Sequence, residues 1–89
     1  LPVTITLVPA STSYTYAGSN VATSVTVSAL NPSGVRIATS VKLVIEGSSM
    51  TFADASTVKT VTTLTSGDLT VDTLVTGAGY NNMSASVEI

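Results

Sequence analysis

Five carboxylates (Glu46, Asp54, Asp68, Asp72 and Glu88) and three cations (Arg36, Lys42 and Lys59) are the only charged side chains in these 89 residues. The sequence holds no histidine and no cysteine. A Ser-His-Asp or Cys-His nucleophile and a zinc site are therefore out of reach, because each needs one of those residues. The 13 serines have no base to activate them. Carboxylate catalysis would need a close pair. Asp68 and Asp72, four apart on an expected strand, would share a face at a separation of ~13 Å, wider than glycosidases use. Asp54 beside Ser56, with Asp68 at a turn, offers calcium a few oxygens. Hard-cation sites need about six to eight, and no D-x-D-x-D-G run is present. The acids read as solvated turn and surface groups, so no catalytic, cofactor-binding or metal-ligating residue is expected, and no enzyme.

Three of the four aromatic residues are Tyr14, Tyr16 and Tyr80. Exposed and coplanar, they would make a platform for carbohydrate or a protein partner. The plainer expectation is that they cover the open ends of a core. Asn82-Met83-Ser84 matches the N-glycosylation acceptor of a secreted protein, whereas Asn31-Pro32-Ser33 is excluded by its proline.

The elements that would position these residues are strands. Thr, Ser and Val number 16, 13 and 13, while aromatic residues make up only 4% of the chain. Branched and hydroxyl side chains of this kind suit a pleated surface and lose rotamer freedom in helices. At this length the chain makes one domain, 1–89, with a modest core. Charged residues are 9% and the net charge is −2. That balance excludes the basic footprint of a nucleic-acid binder and leaves solubility to hydroxyls, which points to an extracellular or cell-surface location. No apolar run is long enough to span a membrane. A first residue of Leu rather than Met, and a last stretch Val87-Glu88-Ile89 in mid-alternation, suggest a processed precursor or a domain cut from a longer protein.

The organising stretch is Val35–Glu46. Its odd positions carry Val, Ile, Thr, Val, Leu and Ile, and its even positions place Arg36, Lys42 and Glu46 on the opposite face. Period-two alternation puts one face on a core. Twelve residues would run about 40 Å, so a break is expected near Ala38-Thr39-Ser40. Further strands are predicted at 3–8 (ended by Pro9), near Tyr14–Tyr16, at 21–30, at 50–53 with Met50 or Phe52 inward, at 58–64, at 69–75 and at 83–89. Asn31-Pro32-Ser33-Gly34 reads as a type I turn with Asn31 capping it. Thr65-Ser66-Gly67-Asp68 reads as a hairpin turn, Leu74 as a bulge and 77–82 as a loop. The expected core is Val25, Val27, Ile37, Val41, Leu43, Ile45, Leu69, Val71, Ala85 and Val87. Seven to eight short strands with frequent turns imply an all-β, immunoglobulin-like sandwich, mainly antiparallel.

From residue 20 onward the order of features resembles the bacterial Ig-like domains of the invasin and intimin type, found as tandem repeats in surface adhesins. The resemblance rests on the alternating 21–29 stretch, the Gly turn at 31–34, the run Val41-Lys42-Leu43-Val44-Ile45, the Thr/Val-rich 58–75 segment and the closing 83–89 stretch. Asn31-Pro32 stands where that family usually has an acidic residue, and the segment between Gly34 and Val41 looks a residue longer. The resemblance implies a non-catalytic structural or adhesive module, with neighbouring domains or protein partners and no cofactor. Two alternatives follow from the residues. One is a filament or pilus subunit assembled by strand exchange, with Leu1–Val8 as the donor because Pro9 and a Ser/Thr-rich tether follow it. The other is a carbohydrate-binding accessory module using the tyrosines.

Overall fold

The structure, a computed structural model, describes residues 3–8, 11–14, 16 and 18–88, with only the backbone for 11–14. Eight strands follow one another: β1 (Thr4–Val8), β2 (Ser11–Tyr14), β3 (Val21–Leu30), β4 (Ser40–Glu46), β5 (Met50–Phe52), β6 (Val58–Thr62), β7 (Leu69–Val75) and β8 (Gly79–Val87). No helix occurs among the described residues. The strands form two four-stranded sheets, β1-β3-β7-β5 and β2-β8-β4-β6, antiparallel throughout. Odd-numbered strands lie in the first sheet and even-numbered strands in the second. Every connection therefore changes sheets, and no two consecutive strands pair.

Alternation decides which side chains the sheets enclose. On β3, Val25, Val27 and Ala29 point inward, and on β4, Val41, Leu43 and Ile45 do the same; all six are buried. The β3–β7 register sets Val25 opposite Val71 and Val21 opposite Val75. The β4–β8 register sets Leu43 opposite Ala85 and Ile45 opposite Met83. Both Met50 and Phe52 are buried, since they are two apart on β5. Phe52 and Leu43 are the largest side chains with no exposed surface.

The expected break in the organising stretch is present, and it is a change of sheet. Residue 36 still bridges Leu30 in the first sheet, and the Ile37 N–H donates to Ala29 O at 2.9 Å. By Ser40 the chain has joined the second sheet opposite Thr62. The turn before it forms as expected. Asn31 Oδ1 accepts from the amides of Ser33 and Val35, both at 3.0 Å, and Gly34 N–H donates to Asn31 O at 2.9 Å. Thr63, fully buried, clamps the passage. Its hydroxyl donates to Ile37 O at 2.7 Å and accepts from Thr39 N–H at 3.0 Å, while its own N–H donates to Thr39 O at 2.9 Å.

Several expectations are corrected. Thr65–Asp68 is not a hairpin turn but a crossing, because β6 pairs with β4 and β7 with β3 and β5. Turn chemistry specifies a reversal, not the sheet that the next strand joins. Leu74 marks no bulge: the β3–β7 register is unbroken from 21/75 to 27/69, and Leu74 is a half-buried side chain on the outward face. Residues 79–82 are strand rather than loop, with Asn81 facing inward. The early edge strand is Ser11–Tyr14 and stops short of Tyr16. Ile37, Leu69 and Ala85 are only half-buried, and Val87 is 38% exposed. Val87 lies opposite buried Val41, but β2 pairs with β8 only over residues 79–82, so no strand among the described residues pairs with its other flank. Ile89 and Pro9 lie outside the described residues.

The 31–39 and 63–68 crossings lie at one pole. Thr4 pairs with Leu30, Val41 with Val87, and Glu88 N–H donates to Ser40 O at 2.8 Å. Thus β1 begins and β8 ends beside the 36–40 passage, while the loops at 18–20, 47–49 and 76–78 occupy the far pole.

Two stability effects follow. Leu43→Ala should cost ~2–5 kcal/mol in a urea melt through lost transfer energy and a cavity. Thr63→Val, nearly isosteric, should cost about 1–3 kcal/mol by orphaning the Ile37 carbonyl and the Thr39 amide. Thr63→Ser should recover most of that loss.

Candidate functional site

The acids do not converge; each takes a local partner or faces water. Asp68 Oδ1 accepts from Arg36 Nε at 3.2 Å and Nη2 at 3.0 Å, tying the crossing before β7 to the crossing before β4. Both side chains are nearly half exposed, so the pair adds at most about 1 kcal/mol. Asp68 precedes β7 and is not on the strand with Asp72, contrary to expectation. Asp54 lies in the turn from β5 to β6. Its Oδ1 accepts from the Ser56 hydroxyl at 2.6 Å and the Ser56 amide at 3.2 Å, and Lys59 Nζ stands 3.9 Å from Oδ2. The Ser56 hydroxyl, then its amide, then the Lys59 charge hold the Asp54 carboxyl below its ordinary 3.8. Glu46, Asp72 and Glu88 are exposed. Asp54 and Asp68 are thus engaged separately, and no group of three metal-ligating acidic side chains forms among the described residues.

That same turn holds Ala55 at φ 68°, in the left-handed region. Ala55 N–H donates to Phe52 O at 2.9 Å and Phe52 N–H to Ser56 O at 2.8 Å, so both backbone groups of buried Phe52 are satisfied by the turn that holds Ala55 in this conformation.

Of the tyrosines expected to cover the open ends of the core, Tyr80 does not do so. Tyr80 is 63% exposed near the start of β8, and Tyr16 is half-buried. The Tyr14 ring lies outside the described residues. Asn82, the glycosylation candidate, is exposed on β8, alternating with inward Asn81 and Met83. Asn81 is a buried polar residue that polarity alone assigns to a loop. Its Oδ1 accepts from Ser49 Oγ at 3.1 Å, while its Nδ2 has no partner among the described residues. Gly47, at φ 131°, fits beside it because a Cβ there would come within 2.5 Å of Asn81 Oδ1. Together Gly47, Ser49 and Asn81 close the far pole around buried polar atoms.

A concave feature runs along one flank, where β6 and β7 face each other from different sheets. It is a cleft of about 260 Å³ lined by Lys59, Val61, Leu69, Thr70, Val71 and Asp72. No helix among the described residues is long and apolar enough to cross a membrane. No family model matches the chain, and neither the curated proteins nor the solved structures include a match to it.

The Asp54 carboxyl, followed by NMR, should titrate below 3.8, and Ser56→Ala should raise its midpoint. A depressed carboxyl pKa contributes stability above the unfolded value and loses it as pH falls through the folded one. The Asp54 contribution should therefore disappear on acidification below pH 3.8. Ala55→Gly should stabilise by up to about 1 kcal/mol, relief of left-handed strain exceeding the entropic cost of glycine. A chelator should leave the melting temperature unchanged.

Proposed function

We propose that this chain is a non-catalytic, extracellular immunoglobulin-like module, one structural or adhesive unit of a cell-surface protein. The single observation that carries the reading is the character of its outward faces. Thr4, Thr6, Ser24 and Thr70 line one sheet and Thr60, Thr62, Ser84 and Ser86 the other, all exposed. Charges are few: Arg36–Asp68 and Asp54–Lys59 form local pairs, and Lys42, Glu46, Asp72 and Glu88 are exposed. Hydroxyl faces keep water without the charge density usual for cytosolic domains. Two antiparallel sheets over one aliphatic core supply a stiff frame, elongated at 44 × 21 × 18 Å. Its far pole, with exposed Tyr80 and the 47–49 and 76–78 loops, is the natural contact tip.

A second reading, a filament subunit joined by strand exchange, is favoured by β1. None of Thr4–Val8 is fully buried, none is charged, and the strand forms one margin of its sheet. Native edges usually carry charge or proline against pairing with other chains. In the described fold Thr4–Val8 pairs with β3 of its own chain; Leu1 and Pro2 lie outside the described residues.

Light scattering separates the two readings. The module reading expects monomers across a wide concentration range. Filaments expect polymers that disappear when residues 1–8 are deleted, leaving a groove that binds a synthetic peptide of that sequence. A glycan array with Tyr80→Ala as control tests the carbohydrate alternative, in which the substitution abolishes binding at unchanged stability.

A further inference from the structure

We propose that the unpaired half-edge of β7, Leu69–Asp72, accepts an extended peptide from another protein, with apolar residues at alternate positions and a cation between them. The vacancy arises from the brevity of β5. Its three residues pair only with Thr73–Val75, and the ladder ends where Ala53 N–H donates to Asp72 O at 3.2 Å. The Asp54–Ser56 turn then carries the chain into β6, in the other sheet. From Leu69 to Val71, β7 pairs with β3 on one side and with no strand among the described residues on the other.

Peptide groups alternate sides along a strand. Asp72 O faces the β5 side, so the Thr70 N–H and C=O face it too and point into the cleft beside β6. Buried Val71 and half-buried Leu69 and Val61 form the apolar part of that cleft, and Lys59, Thr70 and Asp72 its polar part. One donor, one acceptor and an apolar part are the elements of strand addition, in which main-chain bonds supply affinity and side-chain positions supply selectivity.

Charge selects the occupant. Asp72 is exposed and makes no ion pair among the described residues, whereas Lys59 across the cleft is engaged by Asp54 at 3.9 Å. In a strand added in line with β5, residues opposite Leu69 and Val71 face the cleft. The residue opposite Thr70 faces outward, within diagonal reach of the Asp72 carboxylate. A Lys or Arg is complementary there. The Thr4–Val8 strand of a second copy carries no cation, so a basic partner fits better than self-pairing. Ala53 at one end and the Arg36–Asp68 pair at the other hold the added strand to a few residues.

The test is an amide NMR titration of the full chain with acetyl-Thr-Val-Lys-Val-Thr-amide. Expected are saturable shifts at Leu69–Asp72 and Val61 at millimolar peptide. The same peptide with Glu in place of Lys should bind about threefold more weakly, the scale of one exposed cross-strand charge contact. Asp72→Lys should reverse that preference. Thr70→Pro should abolish binding and keep the fold, because the lost N–H points away from β3; should that variant not fold, the Asp72→Lys reversal decides alone. Absence of shifts at Leu69–Asp72, or indifference to peptide charge in both backgrounds, overturns the proposal. So does tighter binding of a residues 1–8 peptide, which would assign the edge to self-association.

Discussion

Every strand in this chain hands over to the opposite sheet, and that constraint governs the rest of the structure. A sandwich built from hairpins would assemble each sheet from neighbours in sequence. Here each ladder joins distant segments: β1 to β3, β3 to β7, β4 to β8. The first sheet is incomplete until β7 is in place, and the second until β8 is. Loop closure must then precede nearly all ladder formation, the situation that slows folding in all-β domains. The crossing at 36–40 is where the constraint is most demanding, since a chain leaving a sheet exposes backbone groups that no ladder satisfies. Thr63 resolves it with one side chain: its hydroxyl serves Ile37 O and Thr39 N–H, and its amide serves Thr39 O. One buried threonine thereby binds the start of β4 to the end of β6.

The same topology shapes the surface. Because β5 is short and β2 covers only part of β8, each sheet ends in a broken margin rather than a full-length edge. Those margins explain why Leu69 and Ala85 stay half-buried and Val87 is exposed even though each belongs to an inward-facing row. They also concentrate the backbone's unused hydrogen-bonding capacity at defined places, of which the β7 half-edge is one. With so few charges, the chain has little means of guarding such edges except brevity and hydroxyl side chains.

Polar groups inside the fold lie both in strands and in the connections between them. Asn81 and Ser49 share one hydrogen bond at the far pole, and Thr73 sits in the core with its hydroxyl unpartnered among the described residues. The far pole is therefore closed partly by polar contacts and a glycine that leaves them room. Ala55 stores backbone strain for a related reason, because the turn after Phe52 must be tight enough to keep that ring in the core.

What the sequence by itself determined is the material and the rhythm. Hydroxyl and β-branched composition excluded helices, and alternation in 21–30, 41–45 and 69–75 identified Val25, Val27, Val41, Leu43, Ile45 and Val71 as core. Absent histidine and cysteine removed whole classes of chemistry before any geometry was known. The Asn31–Gly34 turn and the break near Ala38–Ser40 were legible because their chemistry is local. Only the tertiary structure decided which sheet each strand joins, since a period of two is the same in both. It also decided that Thr65–Asp68 crosses over, that Asn81 is inside, and which inward rows lie at a margin. Those outcomes depend on partners far away in sequence, and no single segment carries that information.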